Sequence, residues 1–349
     1  MPSQNEKGRP LVVSDAPDLE NLSFRSFRGE VDYPSMLAIV EASKAVDQDE
    51  WSQTLEDIER NYRHLRNCDP FADMIFVEVD GEAVGYGRLW WEDEAKGDRV
   101  YSLFTNLMPD WRSLGIRRAM LRWLEARAQE LLSANPTEQA VYLQTWASEF
   151  ETDWKGVVEA ADYEIVRWDY EMVRSLADPI EPAPLPEGIE IRPVVEGDIE
   201  TIFAAASEAF VDHWGFSDWF DEKSLAEWRE SPTWNPDLWK IAWDGEDVVG
   251  TVMNYIDEKE NAEYSRKRGY TEVICVRRPW RGRGVAKALI TESMKMHKEM
   301  GMTETAHGVD TLNETGALQL YTGLGYRPKR TYYSFRKPLR EPVKPDPSS

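Results

Sequence analysis

Cysteine is scarce in this chain of 349 residues, which contains only Cys68 and Cys275. Two cysteines exclude a disulfide framework and a metal site built from four thiolates. Histidine is scarce as well, because the chain has only 4 and none of them shows the spacing of metal ligands. The composition therefore argues against a small secreted domain, and we expect no bound metal.

Long apolar runs are also missing from the sequence. No stretch of about 18 apolar residues occurs, and the first residues have no apolar core of the kind found in a signal peptide. We therefore expect a cytoplasmic protein without a membrane-spanning segment.

Positive charge is in short supply, with 41 Lys and Arg against 64 Asp and Glu and a net charge of −23. Such a surface repels nucleic acid and anionic lipid and favours cationic ligands. The chain is 42% hydrophobic and contains 15 Trp, so it is expected to fold around substantial cores. We expect a small-molecule partner, no nucleic-acid or membrane partner, and a monomer or homodimer.

The length is sufficient for two domains. The segment DPIEPAPLPEG, residues 178–188, contains four prolines and predicts a stiff linker, because proline neither continues a helix nor pairs within a central strand. The expected organisation is an N-terminal domain at 1–178, a linker at 179–188, a C-terminal domain at 189–340 and a tail at 341–349.

The two halves of the chain resemble each other. Residues 71–91 and 235–255 each read as a strand, an Asp-Gly turn and a strand, and residues 108–130 parallel residues 277–299 at nearly the same offset. Each copy predicts the order strand, helices, hairpin, strand, glycine loop, helix, strand, helix, strand. The expected fold is α/β with two tandem domains, each a mixed, mostly antiparallel sheet flanked by helices.

The basic stretch RRPWRGRGVA, Arg277 to Ala286, stands out in this acidic chain. A β-rich alternating segment precedes it and apolar residues at helical spacing follow it, so Gly282 and Gly284 lie between a strand and a helix N-terminus. Free N–H groups and the helix dipole make such a position an anion site, suited to a pyrophosphate. The alternative is a solvated basic turn. The glycine spacing matches neither a Walker loop nor a dinucleotide fingerprint.

Two motifs resemble the GCN5-related N-acetyltransferase (GNAT) superfamily. RGRGVA matches its R/Q-x-x-G-x-G/A loop, and GVDTLNETGALQLYTGLGY, residues 308–326, resembles its later strand–Asn–helix segment. The two-copy layout is similar to the tandem type, which includes mycothiol synthase-like acetyltransferases. The resemblance implies direct transfer of an acetyl group from acetyl-CoA to an amine.

The resemblance also assigns roles to residues of the second copy. A splayed strand would free a backbone N–H near Cys275 or Val276 for the thioester carbonyl, and Tyr321 would protonate the departing thiolate. Asn313 would belong to the cofactor-binding set as a helix-start residue. The remaining cofactor-binding residues implied are Arg281, Gly282, Arg283, Gly284, Val285 and Ala286.

The general base for the amine is expected to be Glu272. Members of the family place a catalytic glutamate on this strand, and alternation puts Glu272 on one face with Ile274 and Val276, where apolar neighbours raise a carboxyl pKa. An exposed strand carboxylate is the alternative.

The segment around Asp212, His213 and Trp214 is the second choice for the base and the expected acceptor-binding site. It opens a Trp-rich stretch with Trp219, Trp228 and Trp234 that walls an acceptor cleft or, alternatively, simply forms core.

The first copy departs from the pattern. Ser113 replaces the first loop glycine, and Arg117 stands where Ala286 stands in the second copy and is expected to crowd the pyrophosphate. Val158 and Phe150 fall at the positions of Tyr321 and Asn313. We expect the first domain not to catalyse, while passive CoA binding by it stays open.

The sequence thus predicts an N-acetyltransferase that acts on a primary amine of a small, cationic acceptor. The alternatives are acetylation of a cysteinyl amine, as in mycothiol synthase-like enzymes, acetylation of a peptide or protein, and a CoA-binding regulatory protein without turnover.

Overall fold

The computed structural model describes residues 7–217, 220–313 and 315–340. Its packing forms two compact units: unit 1 comprises Met1–Arg167 and Tyr333–Ser349, and unit 2 comprises Trp168–Tyr332. These limits differ from the linker expected at 179–188, since that segment lies inside unit 2, where Ile180 and Leu185 pack on its core. The expected tail at 341–349 lies outside the described residues.

The elements alternate along the chain in the expected order. The strands are β1 (Leu22–Arg25), β2 (Met74–Val79), β3 (Glu82–Asp93), β4 (Arg99–Leu107), β5 (Val141–Ser148), β6 (Glu164–Ser175), β7 (Ile189–Arg192), β8 (Lys240–Asp244), β9 (Asp247–Tyr255), β10 (Arg268–Val276), β11 (Glu304–Asp310) and β12 (Arg327–Arg340). The helices are α1 (Tyr33–Asp47), α2 (Leu55–Arg63), α3 (Ile116–Ala134), α4 (Thr152–Glu159), α5 (Ile199–Phe210), α6 (Glu222–Arg229), α7 (Glu258–Glu263), α8 (Val285–Glu299) and α9 (Ala317–Gly323).

In unit 1, strands β1 to β4 are successive antiparallel neighbours, and β5 pairs parallel with β4. The β2–β3 hairpin turns at Asp80 and Gly81, which have φ values of 53° and 82°. An Asp-Gly pair adopts this turn readily. Glycine has no Cβ to oppose a positive φ, and Asp tolerates a positive φ better than most residues do.

In unit 2, β7, β8, β9 and β10 are successive antiparallel neighbours, β11 pairs parallel with β10, and β6 pairs antiparallel with β11. One apolar cluster packs α5 and the segment after it on one side of the sheet, and another packs α8 and α9. The predicted mixed, mostly antiparallel sheet flanked by helices is confirmed. The short helix α7, between β9 and β10, was not expected.

Candidate active site

The site is built where two parallel strands of unit 2 separate. β10 and β11 are paired only from Arg268 to Tyr270 and from Glu304 to Ala306. Both strands continue beyond this point, β10 to Val276 and β11 to Asp310. Because the hydrogen-bonded pairing stops while both strands continue, a gap opens between their carboxyl-terminal halves.

A β-bulge in β10 accompanies this separation. Glu272 faces Met253 of β9 and Cys275 faces Thr251, so two residues of β10 stand opposite one of β9. Val273, inside the bulge, has a φ of 48°, a strained value for a β-branched residue. Its carbonyl accepts a hydrogen bond of 2.7 Å from the Thr251 hydroxyl. This buried contact supports a bend that carries β10 away from β11.

The pairing with β9 determines which N–H groups of β10 face the gap. The N–H of Arg277 donates to the carbonyl of Val249 at 2.9 Å. Because successive N–H groups of an antiparallel strand point to opposite sides, the N–H of Val276 points away from β9 and that of Cys275 points toward it. Of the two residues expected near the thioester, only Val276 therefore directs its N–H toward the gap. The Cys275 thiol is buried 3.1 Å from the Thr251 hydroxyl.

The glycine loop follows β10 and starts α8. Gly282 and Gly284 have φ values of 73° and 90°, and a Cβ added at either would meet no atom within 4 Å. Gly284 is the N-cap of α8 and supplies no side-chain cap. The first N–H groups of α8 are therefore available to an anion, as helix N-termini generally allow.

Arg281 points into the protein rather than over the loop. Its guanidinium donates to the carbonyl of Val276 at 2.9 Å, to the carbonyl of Ala209 at 3.0 Å and to Asp212 at 3.2 Å. We call these contacts the arginine clamp, since they join the end of β10 to the end of α5. Unit 1 has a matching clamp, in which Arg112 donates to the carbonyl of Leu107 at 3.1 Å and to Asp47 at 2.6 Å.

The clamp predicts unequal effects for two loop arginines. Arg281→Gln is expected to lower the free energy of unfolding by about 1–3 kcal/mol, because it removes charged hydrogen bonds to two carbonyls and a carboxylate. Arg283→Gln, at an exposed position of the same loop, is expected to change it by less than about 0.5 kcal/mol. Urea unfolding of both variants checks this, and equal losses would show that Arg281 has no special structural role.

Asp212 is held by arginines. It pairs with Arg278, whose Nε lies 2.9 Å from the carboxylate, as well as with Arg281. The hydrogen bond from Arg278 is the main cause that lowers the pKa of Asp212 to about 2. A carboxylate with so low a pKa is a poor base near neutral pH, which weighs against Asp212 as the proton acceptor.

The other residues of the expected acceptor segment lie beside aromatic core. The ring of His213 is 4.3 Å from that of Phe210, and Trp214 is half-buried. Trp228 packs against Phe203 with ring centroids 5.4 Å apart, and Trp234 lies 6.4 Å from Phe203. These indoles therefore contribute to the core of unit 2. Trp219 lies outside the described residues.

Glu272 lies at the mouth of the gap, one residue before the bulge. Its Oε1 accepts a hydrogen bond of 3.3 Å from the N–H of Gly308 on β11. The carboxylate thus takes the position that the backbone of β10 would occupy in a continuous sheet. Burial raises the pKa of Glu272 to about 7, against the lowering effect of the Gly308 bond. A carboxyl that titrates near neutral pH is suited to act as a general base.

Tyr321 approaches the same gap from α9. Its side chain is buried, and its ring centroid lies 3.9 Å from that of His307 on β11. Burial raises the pKa of Tyr321, followed by the charges of Glu272, Tyr326 and Cys275. The phenol therefore stays protonated through the neutral range. The expected acid and base both contact β11 at this gap, Tyr321 at His307 and Glu272 at Gly308.

Asn313 does not start the helix. α9 begins at Ala317 with Gly316 as its N-cap, and Asn313 instead accepts a hydrogen bond of 2.8 Å from the N–H of Thr315. The expectation of a helix-start residue was wrong by one short turn, because the glycine in the left-handed conformation, not the asparagine, defines the helix boundary.

Unit 1 has a similar separation of two parallel strands and a buried arginine beside it. β4 and β5 pair only from Arg99 to Ser102, but β4 has no bulge against β3. Arg117, which is 4% exposed, donates to the carbonyl of Thr105 at 2.8 Å and to Asp153 at 3.0 Å. The long side chain expected to crowd a pyrophosphate thus joins β4 to α4. Ser113 keeps the loop conformation, with a φ of 62°.

Two kinds of feature are absent from the described ranges. They contain no group of three or more His, Cys, Asp or Glu side chains placed to hold a metal ion. None of their helices combines the length and the apolar character needed to cross a membrane.

Known proteins match both halves of the chain. The model of the acetyltransferase (GNAT) family matches residues 36–145 and again 199–326. Mycothiol acetyltransferase of Streptomyces scabiei is 27% identical over 267 residues, 75% of this chain and 79% of the relative. N-alpha-acetyltransferase MAK3 of Arabidopsis thaliana is 34% identical over 101 residues, 29% of this chain and 50% of the relative.

A solved structure extends the similarity to nearly the whole chain. A GCN5-related N-acetyltransferase from Sphaerobacter thermophilus is 26% identical, with a TM-score of 0.72, and the match covers 93% of this chain and 98% of that one. Together with the strand gap and the glycine loop, the two family matches show that the chain belongs to the GNAT acetyltransferase family and is a tandem, acetyl-CoA-dependent N-acetyltransferase.

Proposed function

We propose that unit 2 transfers the acetyl group directly from acetyl-CoA to a primary amine of a small, cationic acceptor within a ternary complex. The observation that carries the proposal is that Glu272 and Tyr321 contact neighbouring residues of β11 at the gap, Gly308 and His307 respectively. A CoA-binding protein without turnover would have no need for a carboxyl with a pKa of about 7 next to a buried phenol.

Acetyl-CoA would bind along the loop and the gap. The N–H groups from Gly282 to Ala286 would hold the pyrophosphate at the uncapped start of α8, where a Cβ at either glycine position meets no other atom within 4 Å. The N–H of Val276 would donate to the thioester carbonyl and stabilise the oxyanion that develops there. The clamp holds the carbonyl of this same residue, so it would fix the position of the donor.

The chemistry follows from these positions. The amine nitrogen attacks the carbonyl carbon, a C–N bond forms, and Glu272 takes one proton from the nitrogen. The oxyanion then collapses, the C–S bond breaks, and Tyr321 donates its proton to the leaving thiolate. The proton on Glu272 returns to the Tyr321 oxygen, so both groups regain their starting states while one amide and one thiol form.

The acceptor class rests on charge and on the relatives. A net charge of −23 favours cationic amines such as polyamines, aminoglycosides and amino-sugar conjugates. The relative from Streptomyces scabiei is named a mycothiol acetyltransferase and is matched over 79% of its length, which favours a cysteinyl amine as the second candidate. The match to the N-alpha-acetyltransferase covers 29% of this chain, so a protein amine ranks third.

Thiol release from acetyl-CoA tests the proposal. The full chain is incubated with acetyl-CoA and, separately, a polyamine, an aminoglycoside, a cysteinyl amino-sugar and a short peptide. Amine-dependent release with either of the first two supports the proposal. Release with the cysteinyl compound alone selects the second candidate, and release with none of them contradicts enzymatic transfer to these amines.

We further propose a cytoplasmic monomer or homodimer without a nucleic-acid or membrane partner.

A substitution at the start of α8 tests which unit holds acetyl-CoA. Ala286→Arg places in unit 2 the residue type that unit 1 has at the matching position, Arg117, and it is expected to weaken acetyl-CoA binding at least tenfold, about 1.4 kcal/mol. Gly115→Arg, at the loop of unit 1, is the matched control and is expected to leave binding unchanged. Calorimetric titration measures both. A loss confined to Gly115→Arg would place the cosubstrate in unit 1.

A further inference from the structure

His307 is the first residue of β11 beyond its pairing with β10. The register between the two strands ends at Ala306, and the side chain of His307 is 1% exposed. Its position is therefore at the base of the gap described above. Neither the loop nor the second signature of the sequence marks it.

The hydrogen bond of one ring nitrogen fixes the state of the other. Nδ1 lies 3.0 Å from the carbonyl oxygen of Gly308, and because a carbonyl only accepts, Nδ1 carries the proton. Burial lowers the pKa of His307 to about 4, so the ring is neutral near pH 7. Nε2 is then a bare acceptor, and it is buried without a hydrogen-bond partner among the described residues.

An unpaired buried acceptor is destabilising by about 1–3 kcal/mol, so its presence calls for a reason other than stability. The ring of His307 lies 4.6 Å from that of Tyr326 and 3.9 Å from that of Tyr321. His307 thus keeps close ring contacts with both tyrosines although its Nε2 has no hydrogen bond among the described residues.

The same residue is linked to the proposed base. Gly308 accepts the bond from His307 through its carbonyl and donates its N–H to Glu272. His307 therefore contacts the proposed acid through its ring and the proposed base through one glycine. We propose that His307 is a positioning residue that holds the Tyr321 ring at the gap while adding no charge there; this inference rests on the proposed function.

The neutral state of the His307 ring is part of its proposed positioning role. A cation at this position would stabilise the ionised forms of Glu272 and Tyr321 and weaken both as base and acid. The titratable groups that act on Tyr321 are Glu272 and Cys275 on β10 and Tyr326 after α9, and Arg174 on β6 acts in turn on Tyr326. A neutral His307 ring packs against Tyr321 without changing the pKa values of these titratable groups.

A double-mutant cycle separates positioning from general packing. His307→Ala is expected to lower kcat at least tenfold in the otherwise native chain, with KM for acetyl-CoA changed less than about threefold, yet less than about twofold in a Tyr321→Phe background. His307→Phe restores an uncharged ring and is expected to recover most of kcat. His297→Ala is the control, since His297 is also buried with an unpartnered Nε2 but lies against Thr305.

The outcomes are distinct. Equal losses in the two backgrounds, or losses matched by His297→Ala, would overturn the positioning role while the proposed function stands. No amine-dependent thiol release by the native chain would overturn both. Nitrogen NMR of the full chain adds a readout without turnover: His307 is expected to stay neutral with its proton on Nδ1 from pH 5.5 to 8, and a titration near pH 6.5 would refute the proposal.

Discussion

Replacing Glu272 by glutamine is expected to lower kcat/KM at neutral pH by about 10²–10⁴-fold and to flatten the acidic limb of its pH profile. The pKa of Glu272 is raised to about 7 by burial, so in the native chain the ionised fraction of the base, and with it the rate, rises with pH through this value. Glutamine keeps the shape of the side chain but cannot take the proton of the amine. Thiol release between pH 5 and 9 measures the profile.

Affinity and stability act as controls for this variant. Acetyl-CoA binding is expected to be unchanged. Since the folded state raises the pKa of Glu272, ionisation of this carboxyl lowers stability as pH rises toward about 7, and the glutamine variant is expected to be no less stable than the native chain above that pH.

Asp212→Asn is the comparison variant. It is expected to keep the acidic limb, because the pKa of Asp212 lies at about 2, below the range of the profile. If the limb survives in Glu272→Gln but disappears in Asp212→Asn or His213→Ala, the base belongs to the segment after α5 and the assignment of Glu272 is wrong.

Tyr321→Phe is expected to lower kcat by about 10²–10⁴-fold while changing KM for acetyl-CoA little. The hydroxyl acts on negative charge that forms on sulfur as the C–S bond breaks, so its loss raises the barrier without weakening the ground-state complex. Single-turnover kinetics with saturating acetyl-CoA measure the chemical step directly.

A neighbouring tyrosine provides the matched control. Tyr326→Phe removes the hydroxyl of a fully buried tyrosine whose ring centroid lies 6.3 Å from that of Tyr321, and it is expected to leave kcat nearly unchanged. An unaltered chemical step in Tyr321→Phe, or equal losses in both variants, would contradict the role of Tyr321 as the acid.

The sequence predicts much of this architecture because its signals are local. Two Asp-Gly hairpins, two strand–loop–helix segments and a constant offset between them are sufficient to predict duplicated, mostly antiparallel units, which the structure confirms. The apolar strand residues that flank Glu272 also predict a raised carboxyl pKa, and burial raises this pKa to about 7.

The bulge was not predictable in the same way. It depends on Thr251, a residue of β9 whose hydroxyl supports the carbonyl of Val273 across the sheet. A valine with positive φ looks like an ordinary strand residue in the sequence, since its conformation is imposed by a distant partner. The orientation of the Val276 N–H follows from the pairing of β10 with β9 beyond the bulge.

Arg281 and His307 show two further limits of prediction from the sequence. A loop arginine beside an anion site suggests charge for a phosphate, but three acceptors within the fold hold its guanidinium. No motif or residue spacing in the sequence marks His307 as functional. It contacts Tyr321 only because β11 and α9 pack together in the fold. Contacts between elements, rather than local pattern, decide both cases.

The composition of unit 1 has a consequence for synthesis of the chain. Phe335, from the last strand, is fully buried in the core of unit 1, and Arg336 donates to Gln144 at 2.6 Å. A ribosome completes every residue of unit 2 before it supplies these side chains. The core of unit 1 therefore stays incomplete until the ribosome has passed unit 2 and added Phe335. Separation of the gene at its proline-rich codons would leave the N-terminal product without this part of its core.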